Sequence, residues 1–116
     1  MTFETYFNVH LVSDSTGETL NAVMRAAVAQ FDNIAPLEHN YYLVRSPKQL
    51  ERVLQEIENA PGVVLYTITD EGLRARLEPR CRELGSPTLP VIDSAVNMLS
   101  RYLGLKSAHK VAGQHH

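Results

Sequence analysis

The chain has a single cysteine, Cys81, and no tryptophan. One cysteine excludes an internal disulfide, and no cysteine and histidine spacing suits a zinc site. Cys81 falls on the apolar side of an expected helix, which marks a buried structural thiol rather than a reactive one. Long apolar runs are missing too. A run such as Val63-Val64-Leu65-Tyr66 is far too short to span a bilayer, and the N-terminus has no apolar stretch of the signal-peptide kind. Neither sign of charge dominates: 11 Lys and Arg stand against 13 Asp and Glu, a net charge of -2. That gives no reason to expect nucleic acid or an anionic membrane as partner. A cytoplasmic location is the expectation. Internal repeats and low-complexity tracts are absent. So are two phosphate-binding signatures, Gly-x-x-x-x-Gly-Lys-Ser/Thr and Gly-x-Gly-x-x-Gly.

What is present is the make-up of one globular domain: 116 residues, 44% apolar and 21% charged. Residues 1–6 read as a loose leader and 7–13 as a first strand. A helix follows over roughly 18–31, with Leu20, Val23, Met24, Ala27, Val28 and Phe31 in one apolar stripe. Residues 37–44 read as a second strand, whose interleaved polar residues suit a sheet edge. Ser46-Pro47-Lys48-Gln49 opens a second helix, with Ser46 as N-cap, Pro47 at the first helical position and Gln49 completing a capping box. Leu50, Val53, Leu54 and Ile57 supply its buried face. Pro61-Gly62 stops it.

Residues 63–68 are apolar without alternation, as in a strand covered on both faces. Asp70 is expected to cap a third helix, about 71–84, with Leu73, Leu77, Cys81 and Leu84 inward and Gly85 closing it. Residues 87–92 make a short fourth strand, which Pro90 confines to an edge or a bulge. Asp93 is expected to cap a fourth helix, about 94–103, with Val96, Leu99, Tyr102 and Leu103 inward and Gly104 at its end. Four strand–helix units predict an α/β fold: a doubly wound, flavodoxin- or Rossmann-like three-layer sandwich on a parallel four-stranded sheet in order 2-1-3-4. Residues 1–104 form that domain. Residues 105–116, with Lys106, His109, Lys110, His115 and His116, read as a linker or the start of something further.

Ligands in such sheets bind beyond the carboxyl ends of the strands. The first strand ends in Ser13-Asp14-Ser15-Thr16-Gly17-Glu18-Thr19, a polar turn with hydroxyls, one glycine and a helix start. Two readings stay open. The turn is an anion site, because first-turn N–H groups lack helical partners. Alternatively Ser15 and Glu18 form a plain capping box. Arg45, Thr67, Thr69, Asp70 and Asp93 fall on the same rim, which suits a phosphate-recognising surface. The plain alternative makes Asp70 and Asp93 caps and Arg45 a surface charge. The turn also looks like a flavodoxin phosphate loop, which would make the chain a stand-alone module binding a phosphorylated ligand through residues 13–19. No metal site is expected.

Val9-His10-Leu11-Val12-Ser13-Asp14-Ser15-Thr16-Gly17-Glu18-Thr19 resembles the opening of the bacterial pyruvate, phosphate dikinase or phosphoenolpyruvate synthase regulatory proteins. Leu43-Val44-Arg45-Ser46, Gln49-Leu50, Val64-Leu65-Tyr66-Thr67, Leu99-Ser100-Arg101-Tyr102-Leu103-Gly104 and Gly113-Gln114-His115 continue the resemblance in order over residues 7–115. The resemblance implies a bifunctional, homo-oligomeric cytoplasmic phosphotransferase. Such a protein phosphorylates a threonine of the dikinase or the synthase with ADP as donor. It removes that phosphate with inorganic phosphate, releasing pyrophosphate. The family's nucleotide loop lies beyond position 116, so the chain corresponds to an N-terminal domain. ADP and phosphate are then ligands of the parent, and the isolated domain is expected to be inactive and to hold no cofactor. Residues 13–19 and Arg45 carry over as family-like positions without assigned roles.

Overall fold

Strand and helix alternate strictly along the chain: β1 (Thr5–Ser13), α1 (Glu18–Val28), β2 (Ile34–Tyr41), α2 (Pro47–Asn59), β3 (Gly62–Thr67), α3 (Glu71–Glu83), β4 (Thr88–Pro90) and α4 (Asp93–Leu103). This is a computed structural model, and it describes residues 4–108. The four strands pair in parallel in the order β2-β1-β3-β4. Parallel neighbours need a crossover, and each helix supplies one across a face of the sheet. The sequence expectation of a doubly wound α/β sheet in this order holds.

Along β1 the period of two sends Val9 and Leu11 to one face and His10 and Val12 to the other. The faces differ in extent. Under α2 and α3 lies the larger core, where Leu50, Val53, Leu54, Ile57, Leu73, Leu77 and Cys81 meet Val12, Val64 and Tyr66. Under α1 lies a smaller one of Val9, Leu11, Leu20, Met24 and Leu65. Beside α1 that face opens into an apolar trough of about 490 Å³ bordered by Phe7, Val28, Phe31, Val63 and Leu89.

Several boundaries differ from the expectation, each for a reason. β1 starts at Thr5, inside the supposed leader, because Thr5 N donates to Asn33 O at 2.7 Å and begins the pairing with β2. β2 lies three residues earlier than expected, at Ile34–Tyr41, and takes in Pro36, which an edge strand tolerates. It stops there because Leu43 turns left-handed at φ 56°. Helix α1 ends at Val28, which leaves Phe31 65% exposed rather than in the stripe. The largest difference is α4. Leu99, Tyr102 and Leu103, expected inward, are 52%, 87% and 56% exposed, and α4 buries no residue.

The sheet edge explains this. Pro87 O accepts from Val64 N and Val91 N donates to Tyr66 O, so alternation turns Thr88 and Pro90 to the free side of β4. Pro90 has no N–H to offer there, and among the described residues no strand extends the sheet beneath α4. His109, Lys110, His115, His116 and the Gly113-Gln114-His115 string lie outside the described residues.

Candidate functional site

The chain leaves β1 toward β2 and leaves β3 toward β4, so the helices α1 and α3 depart in opposite directions from adjacent strand ends. That divergence is where open α/β sheets bind ligands. Ser13 and Thr67 are paired at this point. The Ser13 hydroxyl accepts from Ser15 N at 2.9 Å and from Thr67 Oγ1 at 3.2 Å. Asp14, 3% exposed, turns its carboxylate across to the next loop, where Oδ2 accepts from Thr69 N at 3.0 Å and Thr69 Oγ1 at 3.2 Å. Its other oxygen, Oδ1, is buried without a partner among the described residues.

The opposite side of the turn is held by the segment after β2. Leu43 N donates to Ser15 O and Val44 N to Ser13 O, both at 3.0 Å. Arg45 Nε donates to the Asp14 carbonyl at 2.8 Å. Its remaining guanidinium donors have no protein partner among the described residues. Gly17 then turns left-handed, φ 82°, and starts α1. The ring of Tyr42 lies against it so closely that a Cβ at position 17 would overlap Tyr42 Cε1. Only glycine suits both demands.

The capping-box reading of Ser15 and Glu18 is therefore corrected. Gly17 is the N-cap, and no side chain caps α1. Ser15 is out of place for the job because its N–H and carbonyl are taken by Ser13 and Leu43. Glu18 sits in the first turn, exposed, where a negative charge favours the helix dipole. Thr16 and Thr19 are exposed on the same rim.

Asp70 follows the plain alternative: its Oδ1 accepts from Leu73 N at 2.9 Å and caps α3. Asp93 does not. Ile92 occupies the N-cap of α4, which places Asp93 inside the first turn, and its carboxylate takes a two-pronged bond from Arg74, with Nη1 to Oδ1 at 3.1 Å. Arg74 also lies over the Tyr66 ring, 5.4 Å from its centroid, and donates to the Tyr66 hydroxyl, which donates in turn to Glu78. This cluster borders a cavity of about 130 Å³ at the ends of β3 and β4, shared with Thr69, Val96 and Asn97. Sequence reading missed Arg74 and Glu78, although their i,i+4 spacing on a helix is a recognisable ion-pair signal. Among the described residues no cluster of three histidine, cysteine or acidic side chains could hold a metal ion.

The sequence profile of the family described as "Kinase/pyrophosphorylase" matches residues 9–116. The chain belongs to that family. A relative from Hyphomonas neptunium is 70% identical over 110 residues, covering 95% of this chain and 39% of the relative. Relatives from Caulobacter vibrioides and Maricaulis maris are each 56% identical over 113 residues, covering 97% of this chain and 36% and 40% of themselves. All three carry the provisional name pyruvate, phosphate dikinase regulatory protein. The chain spans about two fifths of their length and corresponds to their N-terminal part. The switch-point turn, Arg45 and Thr69 all fall inside the stretch that the kinase/pyrophosphorylase profile covers.

Proposed function

We propose that this chain is the N-terminal part of a protein that phosphorylates a threonine of pyruvate, phosphate dikinase with ADP and removes that phosphate with inorganic phosphate. In the forward direction the threonine hydroxyl takes the β-phosphoryl group of ADP and AMP leaves. In the reverse direction inorganic phosphate takes the group and pyrophosphate leaves. The observation that carries this is the kinase/pyrophosphorylase match over residues 9–116. The relatives' names favour the dikinase over the synthase as target.

Within this chain, the start of α1 and Arg45 are proposed to receive the phosphoryl group or the segment that bears it. Uncapped first-turn N–H groups and two spare guanidinium nitrogens are suitable donors. The carboxylate of Asp14 opposes an anion less than its position suggests, because Thr69 supplies it with two hydrogen bonds. Glu18 opposes it more, being exposed on the rim.

Two measurements test the reading. The chain, and separately the full-length Hyphomonas relative, are incubated with ADP and dikinase, and the target threonine is followed by mass spectrometry. The relative should phosphorylate it, and the 116-residue chain should not, because phosphoryl transfer needs positioned phosphate-binding groups that its sequence lacks. Phosphothreonine formed by the chain alone would overturn the division of labour, and none formed by the relative would overturn the activity. For the loop, phosphate is titrated while the amide resonances of residues 13–19 are observed. A charge-assisted bond contributes about 1.5–3 kcal/mol, so Arg45→Ala should weaken binding about tenfold or more. Resonances unmoved at roughly 50 mM phosphate, enough to saturate a millimolar site, would leave the turn as a helix start only.

A further inference from the structure

Helix α4 carries two different sides. Val96 and Ile92 face the cavity beside Arg74, and the Arg74–Asp93 pair fastens the first turn to α3. The second side is a stripe of Met98, Leu99, Tyr102 and Leu103, which are 64%, 52%, 87% and 56% exposed. At the helical rotation per residue this stripe is about 140° wide, the width of a core-facing surface rather than a scatter of single apolar residues. The helix end is a defined stop. Gly104 turns left-handed at φ 65°, and Leu105 N donates back to Ser100 O at 3.1 Å. That leaves Leu105, 63% exposed, beside the same end of the helix.

We infer that this stripe is an interdomain seat, covered in the family's full-length proteins by the chain that follows it. Three observations select that occupant. About three fifths of each relative lies outside the matched region, and the matched region is N-terminal. The polypeptide leaves α4 from the end that bears Tyr102, Leu103 and Leu105, so the following chain starts against the stripe. Finally, Pro90 closes the β4 edge, so this sheet does not grow to cover α4 itself. The inference rests on family membership and not on the proposed activity. An apolar stripe of this width on a helix that buries nothing marks a contact surface.

Hydrogen exchange tests it without reading activity. Peptides over residues 94–105 are compared in the 116-residue chain and in the full-length Hyphomonas relative. They should exchange about tenfold more slowly in the relative, while peptides from β1 and β3 should behave alike in both. Equal exchange at 94–105 would overturn the inference. So would protection in the short chain that rises with protein concentration, because it assigns the stripe to a second copy. A second arm uses Met98→Gln with Tyr102→Gln in the short chain, two good helix formers that remove the apolar surface. The unfolding midpoint should stay within about two degrees. A larger fall would show that the stripe packs inside this chain, and would equally overturn it.

Discussion

His10 shows how a single side chain can tie distant parts of the sheet together and make stability depend on pH. It is fully buried at the centre of β1. Its Nε2 lies 2.7 Å from the Ala60 carbonyl, which can only accept, so Nε2 carries the proton. Nδ1 is then the acceptor, and the Tyr41 hydroxyl, 3.0 Å away, donates to it. His39 stacks on the ring with centroids 4.6 Å apart, and its Nε2 bonds Asn8 Oδ1 at 3.0 Å. Burial pushes the Tyr41 hydroxyl up to about 12, which keeps it a donor. Burial pushes His10 below the usual 6.5, helped by His39 and opposed by the Ala60 bond and Glu56. The folded chain therefore holds His10 neutral, whereas the unfolded chain takes up a proton near 6.5. Stability from this group is complete above that value and declines as pH falls through it. The thermal midpoint should drop between about pH 7.5 and pH 5.5, and His10→Gln should flatten that slope even if it lowers the midpoint at neutral pH. An unchanged slope in the variant would place the effect elsewhere.

At the scale of elements, α3 contains an avoidable defect. Pro79 stands inside the helix, exposed, where it removes a backbone donor and crowds the preceding turn. Leu73, Leu77 and Cys81 hold the helix in place regardless, all 5% exposed or less. Burial also pushes the Cys81 thiol up to about 11, which keeps it protonated and inert, as its place in the stripe suggested. Pro79→Ala should stabilise the chain by about 1–2 kcal/mol in urea unfolding, the interior-proline penalty less the entropy that proline removes from the unfolded state. A loss of stability would mean that the proline fits a kink the helix needs.

What was legible in the sequence follows the range of the forces at each element. Helix α2 came out residue for residue, because Ser46, Pro47 and Gln49 act within one turn; Gln49 N donates to Ser46 Oγ at 3.2 Å. The start of α1 did not, because Tyr42 and Leu43 decide it from another part of the chain. Ser13, Asp14 and Arg45 could be placed on one rim from strand order alone. The bond from Asp14 to Thr69 spans 55 residues and has no local signal. Amphipathic spacing in α4 was real, but spacing names a face and not its partner.

For the molecule as a whole, the two sides of the sheet should differ in what they cost to disturb. Leu77 is fully buried in the larger core, enclosed by α2, α3 and the sheet. Met24 is 7% exposed in the smaller core and borders the open trough. Truncating an enclosed side chain costs the transfer free energy of the lost atoms plus the energy of the cavity left behind, and that second contribution shrinks where water or neighbours can enter. Leu77→Ala should therefore cost about 3–5 kcal/mol, and Met24→Ala about 2 kcal/mol or less. Urea denaturation of the 116-residue chain measures both, with equal slopes confirming that the unfolded states are comparable. Equal losses at the two positions would show that the α1 face is as closed as the other, and that the trough between Phe31 and Leu89 collapses in solution. The same pair in a full-length relative separates the contributions further. If additional chain lies over the trough there, the cost at the methionine position rises toward that of the leucine while the leucine cost stays fixed.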